Sequence, residues 1–140
     1  MQQLMQLADE LGALALFADL SRPQLESVAH QFDEAWFGEG ERILRQGLTG
    51  SGFYVILEGE VTIRSDGREV AVLGRGDFFG EVSVLLGEPP SADVVALHRM
   101  RCLHMAASAV HDFLIANPAV MYRMLLDQTR RLRTTTRNRG

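Results

Sequence analysis

The stretch GDFFGEVSVLLGEPPSADVVA, Gly76 to Ala96, places a glycine and an acid, Gly80-Glu81, ahead of a few apolar residues and follows them with two prolines and a Ser-Ala pair. A short helix opening at Gly80 leaves the amides of Val82 and Ser83 without intrahelical acceptors, and such amides, at the positive end of the helix dipole, can receive an anion. Gly80 has no Cβ to keep its backbone from a close approach. The Glu81 carboxylate accepts hydrogen bonds and donates none, which suits a partner carrying hydroxyls; the plainer reading is charge complementation at a helix start. Catalytic chemistry is poorly supplied. No His stands near Ser83 or Ser91 in a recognised nucleophilic arrangement. His30, His98, His104 and His111 are scattered, only His98 and His104 fall on or next to predicted strands, and six residues apart those two share a face only if no turn intervenes. The chain reads as a non-enzyme.

The elements that must position these residues belong to a chain of 140 residues, enough for one core. An apolar content of 46% with 23% charged residues fits a globular protein rather than a disordered or fibrous one. No apolar run approaches the roughly 18 residues of a membrane span, and MQQLMQLADE carries acids where a signal peptide carries positive charge, so the expected location is cytoplasmic. Cys102, the one cysteine, can make no internal disulfide and reads as a small apolar strand residue. All 14 basic residues are Arg, and five of them, Arg130, Arg131, Arg133, Arg137 and Arg139, lie in the last twelve residues, where there are no acids. The body is acidic and the tail basic. Helix C-termini favour cations on their own account, so the tail need not signal nucleic acid.

Leu4, Leu7, Ala8, Leu11 and Leu14 recur at helical spacing and predict an amphipathic helix ending near Phe17. Ser21 and Gln24 form a capping-box signature, with Leu20 and Leu25 as its hydrophobic staple, and Leu25, Val28, Ala29 and Phe32 make the apolar face of a second helix. From Asp33 to Met105 the pattern turns to short strands separated by turn residues, and eleven of the 13 glycines fall between Gly38 and Gly87. Eight strands are predicted: Glu34 to Phe37, Arg42 to Arg45, Phe53 to Leu57, Glu60 to Arg64, Arg68 to Leu73, Asp77 to Phe79, Ala92 to Leu97 and Arg99 to Met105. Asp66-Gly67, flanked by VTIR and REVAVL, is the strongest hairpin signal. Eight strands at this spacing imply a closed or nearly closed barrel or jelly roll. Helical period returns over Ala107 to Ala116, and Asn117-Pro118 reads as an N-cap with proline at the first helical position. In the long last helix Met121, Met124, Leu125, Gln128, Leu132 and Thr135 fall at three- and four-residue steps, a stripe fit for core, a partner helix or a ligand.

This arrangement, with LEGEV, GRGDF and the GDFFGEVSVLLGEPPSADVVA stretch in order, resembles the cyclic nucleotide-binding domain, specifically its catabolite activator branch, over nearly the whole chain. The resemblance implies a mainly β fold with flanking helices: an eight-stranded jelly-roll β-barrel, or double-stranded β-helix, with N-terminal helices and a long C-terminal helix. It implies a single domain over 1–140, with N-terminal helices over 1–32, a β-roll over 33–106 holding a phosphate-binding cassette at 80–92, and C-terminal helices over 107–140. By the same resemblance Gly80, Glu81, Val82, Ser83, Pro90, Ser91 and Ala92 line the ligand, with Glu81 accepting from the ribose 2′ hydroxyl. RRLRTTT is similar to the family's purine-contacting stretch and carries that role to Thr135 and Thr136; the plain reading is a fraying terminus of weak helix formers.

One departure stands out: where the family carries an arginine that pairs with the phosphate, this chain has Pro90. A charge-assisted hydrogen bond is worth about 1.5 to 3 kcal/mol, so its loss weakens binding by roughly ten- to a hundredfold unless something compensates. Arg45, Arg68 or Arg75 could reach in from another strand to compensate, and Asp93 would repel a phosphate unless turned outward. The resemblance implies a sensor that binds a cyclic nucleotide, cAMP before others, without a cofactor, and signals through its terminal helix, which also pairs two subunits into a homodimer. The alternatives are a degenerate domain with an empty pocket that serves protein contacts, and the sensor half of a transcription regulator. No helix-turn-helix follows within these residues, so direct nucleic-acid binding by this chain is not expected, and neither is a membrane.

Overall fold

The computed structural model of the chain describes residues 2–48 and 52–139, the last three by backbone alone, so the side chains of Arg137 and Arg139 in the basic tail lie outside the described residues. It divides into two compact units, a β unit over 30–111 and a helical unit formed by 1–29 and 112–140.

The β unit is built from eight strands, β1 (Asp33–Phe37), β2 (Arg42–Leu44), β3 (Gly52–Glu58), β4 (Val61–Ser65), β5 (Arg68–Leu73), β6 (Phe78–Phe79), β7 (Asp93–Ala96) and β8 (Met100–Ala106). They form two antiparallel four-stranded sheets in the orders β1-β8-β3-β6 and β2-β7-β4-β5. This is the jelly roll that the strand count and turn spacing predict. Leu44, Ile56, Val61, Phe79, Val94, Ala96, Met100 and Cys102 meet in one core cluster drawn from both sheets. Full burial of an aliphatic side chain such as Ile56 or Val61 contributes about 1.5 to 3 kcal/mol. Strand β3 is buried along most of its length, with Phe53, Val55, Ile56 and Leu57 all inaccessible, which is why FYVIL reads as an apolar run rather than an alternation. Burial also pushes the Cys102 thiol up to about 12.

The Asp66-Gly67 turn takes positive φ at both residues, 53° and 78°, between the paired Ser65 and Arg68, as a type I′ turn requires. Register slips by one residue between Ile63 and Arg64, leaving Val70 as a bulge on β5.

In the helical unit, α1 (Gln2–Gly12) ends earlier than its leucines suggest. Gly12 breaks the period, and a 3-10 turn over Ala15–Phe17 buries Leu16 and Phe17 instead. Helix α2 (Arg22–His30) opens with the expected reciprocal cap: the Ser21 amide donates to Gln24 Oε1 at 2.8 Å, and the Gln24 amide donates to Ser21 Oγ at 3.3 Å. Arg22 pairs with Asp9 and Glu26. Helix α4 (Ala107–Ala116) is followed by α5 (Pro118–Arg139). Asn117 starts α5 through its carbonyl, which accepts from Val120 and Met121, while its side-chain amide donates back to the Phe113 carbonyl at 2.9 Å rather than capping α5. The stripe on α5 divides. Val120 and Met124 are buried, whereas Met121, Tyr122, Leu125 and Leu132 are exposed, Leu132 by 68%. Among the described residues no helix is long and apolar enough to cross a membrane.

Candidate functional site

The Gly76–Ala96 stretch lies in the β unit and begins from a rigid turn. Asp77 accepts from the Gly74 amide at 2.9 Å through Oδ2, and the Asp77 amide donates to the Gly74 carbonyl at 2.9 Å. The same turn is tied to β3, since the Ile56 amide donates to the Asp77 carbonyl at 2.9 Å and the Gly76 amide to the Ile56 carbonyl at 2.8 Å. Strand β6 then pairs with β3, and Phe79 stacks on Tyr54 with ring centroids 4.9 Å apart and planes 9° from parallel. Burial raises the pKa of Tyr54, with electrostatic interaction with Cys102 a lesser cause.

These contacts deliver the chain to Gly80, which adopts φ 90° as the residue before α3 (Glu81–Leu86). A Cβ at Gly80 would stand 1.9 Å from the Gly52 carbonyl oxygen, so glycine is demanded both by space and by conformation. Val84 makes the first intrahelical bond, its amide donating to the Gly80 carbonyl at 3.2 Å. The amides of Val82 and Ser83 meet no backbone acceptor among the described residues, as the first turn of a helix dictates. Glu81 is 2% exposed, and a carboxylate is costly to bury. Val82 lies half open to solvent, whereas Ser83 is buried and its hydroxyl donates to the Glu88 carbonyl. The Ser83 hydroxyl hydrogen is therefore engaged within the segment, while its amide meets no backbone acceptor. Gly87, left-handed at φ 66°, closes the helix, with the Glu88 amide returning to the Ser83 carbonyl at 3.1 Å.

The second half of the cassette is held from outside. Pro90 is buried and its carbonyl accepts from the Gly47 amide at 2.9 Å. Ser91 is exposed and its carbonyl accepts from Ser65 Oγ at 3.4 Å; Ala92 is half-buried. The Asp93 carboxylate, a source of repulsion on sequence grounds, turns to the Gln46 amide, which donates to Oδ1 at 2.7 Å. Of the three candidate substitute arginines only Arg75 has its side chain bonded in place among the described residues. Arg75 donates to the Leu57 carbonyl at 3.2 Å, and Arg45 and Arg68 are exposed.

A wall that sequence reasoning missed completes the picture. Val61 and Ile63 pair with Leu73 and Ala71, so these four share the inner face of the second sheet. Val61 is fully buried, but Ile63 and Leu73 are only partly so and Ala71 is open, leaving an apolar surface of the kind that covers a flat ring. The alternation in VTIR and REVAVL holds that signal once the register is known. Thr135 and Thr136 lie on α5 in the helical unit, both exposed, and the Thr135 hydroxyl donates to the Arg131 carbonyl at 3.1 Å. His98 occupies the turn between β7 and β8, not a strand, with Nε2 3.5 Å from Glu60 Oε1, so no face is shared with His104. Among the described residues no group of three His, Cys, Asp or Glu is placed to hold a metal ion.

Residues 34–117 match the family model of the cyclic nucleotide-binding domain. The chain is 32% identical over 102 residues to the cGMP-dependent protein kinase egl-4 of Caenorhabditis briggsae, an alignment that takes in 69% of this chain and 14% of the kinase. It superposes on the catabolite activator protein of Thermus thermophilus with a TM-score of 0.79 and 27% identity, covering 89% of this chain and 61% of that one. The N-terminal domain of a transcriptional regulator from Streptomyces coelicolor A3(2) gives 0.67 and 30% identity, covering 93% and 94%. With the matched segment running from β1 through α4, the chain belongs to the cyclic nucleotide-binding domain family and is a regulatory domain of that fold.

Proposed function

We propose that this domain binds a cyclic nucleotide, cAMP before cGMP, in the β unit, and that occupancy is signalled through α5. The carrying observation is the buried Glu81 beside left-handed Gly80, at the start of a helix whose first amides are open. A cyclic nucleotide needs donors for one phosphate charge, an acceptor for a ribose hydroxyl and apolar cover for a purine. Val82 and Ser83 supply amide donors, Glu81 the acceptor, and Ile63, Ala71 and Leu73 the cover. Ser91 and Ala92 are further amide donors and Pro90 shapes their loop; Thr135 and Thr136 are the groups through which the ligand would favour one position of α5 over another. A relative solved as cAMP-bound PfPKA-R and a cGMP-dependent kinase among the related sequences are consistent with this ligand class. The exposed Met121, Tyr122, Leu125 and Leu132 suit pairing of two copies along α5, and the function assigned is that of a cytoplasmic sensor without catalysis.

Isothermal titration with cAMP and cGMP tests the reading, and no heat of binding up to millimolar ligand removes it. Glu81→Ala measured beside the parent is expected to bind cAMP roughly ten- to a hundredfold more weakly, as loss of a hydrogen bond to a charged group predicts. Equal affinity assigns Glu81 to the helix start alone.

A second reading draws on Pro90, which supplies no cation where a phosphate needs one. On that reading the fold serves protein contacts or dimerisation, or forms the sensor half of a transcription regulator. A domain that dimerises but ignores both nucleotides favours it.

A further inference from the structure

Beyond the groups assigned to ligand, one residue ties together three separate loops. Gln46, just after β2, donates from Nε2 to Asp66 Oδ1 at 2.9 Å and accepts at Oε1 from the Asp66 amide at 3.0 Å. Its own amide donates to Asp93 Oδ1 at 2.7 Å, and that of the next residue, Gly47, donates to the Pro90 carbonyl at 2.9 Å. A weaker strut, Ser65 Oγ to the Ser91 carbonyl at 3.4 Å, joins the same two loops directly. Asp66 holds φ 53°, the one positive value at a non-glycine residue among those described, and Gln46 grips it on both its amide and its carboxylate.

Neither half of this arrangement fixes the cassette alone. The side chain of Gln46 fastens residue 46 to the Asp66-Gly67 turn, and the backbone of residues 46 and 47 then fastens the Pro90 to Asp93 segment. An isolated exposed hydrogen bond does little, but bonds sharing one rigid residue reinforce one another. We infer that Gln46 is the positioning residue of the cassette's second half, locking the β4–β5 turn and the 90–93 loop into one piece. The amides of Ser91 and Ala92 are thereby held in place before any ligand arrives, where an arginine would otherwise draw the phosphate in. The consequence for affinity rests on the cyclic nucleotide reading above; the brace itself is a property of the ligand-free domain.

Amide hydrogen exchange in the ligand-free protein, read residue by residue by NMR, tests the brace. In Gln46→Ala the Asp66 amide loses its acceptor and exchanges faster. The deciding amide is Gly47, whose acceptor on Pro90 is untouched. It is expected to exchange at least about fivefold faster too, while the Ile56 amide on β3 is unchanged. Gln46→Glu sets two carboxylates together and is expected to loosen the same amides. Adding Asp66→Asn to Gln46→Glu returns a donor opposite an acceptor and is expected to restore slow exchange. Acceleration confined to Asp66, or no restoration in the double variant, overturns the inference. In cAMP titrations Gln46→Ala is expected to bind about five- to tenfold more weakly than a parent that binds. Equal affinity also overturns it, whereas a parent that binds no cyclic nucleotide sinks the ligand reading and leaves the exchange result to decide the brace.

Discussion

From Gly80 to Glu88 the chain is held by bonds to its own near neighbours, whereas from Pro90 to Asp93 its contacts come from loops more than twenty residues away. The first half is shaped largely by its own geometry: a left-handed glycine, a six-residue helix and a second left-handed glycine leave little freedom, with Gly80 lying against Gly52 of β3. The second half has no such local logic and depends on residues 46, 47 and 65. Side-chain chemistry follows the same division. The first half carries the buried acid Glu81, and the second carries the buried imino acid Pro90. Short-range geometry thus tolerates little change in the first half, while the second can vary as long as its distant supports remain.

The sharpest way to break this contrast is Gly80→Ala. Its Cβ must displace the Gly52 carbonyl and sit at φ 90°, so a loss of about 3 kcal/mol or more in denaturant unfolding is expected. A loss below about 1 kcal/mol shows that the first half adjusts as readily as the second. Next comes Pro90→Arg, which places a guanidinium in the second half and so tests the proposed phosphate position. Affinity for cAMP is expected to rise roughly ten- to a hundredfold by titration, and unchanged affinity places residue 90 away from the phosphate.

The smallest effect belongs outside both halves, at Asp19 in the helical unit. Arg123 donates to it from Nε at 2.6 Å and Nη2 at 2.8 Å, and this bonding holds its carboxyl below the ordinary 3.8. A depressed folded value means that the ion pair stabilises the protein above pH 3.8 and that its contribution is lost as pH falls through the lower folded value. Asp19→Asn should therefore unfold at slightly lower denaturant than the parent at pH 7, and the two midpoints should converge in strong acid. Midpoints that stay apart at low pH show that the pair is not the source of the difference.

Local signals in the sequence were the ones that could be read. Ser21 and Gln24 cap each other across three residues, Asp66-Gly67 makes its own turn, and Gly80-Glu81 opens its own helix. Most of what could not be read depended on a distant partner. Asp93 is a hazard to an anion until the Gln46 amide, 47 residues away, is known to occupy it. Asn117 has the residue type of an N-cap, yet its side chain turns back to Phe113. Leu14 and Phe17 continue the apolar spacing of α1 because they are core residues, although the helix ends at Gly12. The apolar wall of Ile63, Ala71 and Leu73 needed the strand register, and the bulge at Val70 hides that register from simple alternation.

Cys102 gives these experiments a practical opening. Fully enclosed in the core, and with its ionisation pushed up to about 12 by burial, it is protonated and unreactive at neutral pH. Maleimide dyes will pass over it, so a cysteine introduced on an exposed position of α5, such as Leu132→Cys, becomes the sole labelling handle in an otherwise unmodified protein. Fluorescence from that single probe can then test whether added nucleotide alters the surroundings of α5, without first removing the native sulfur.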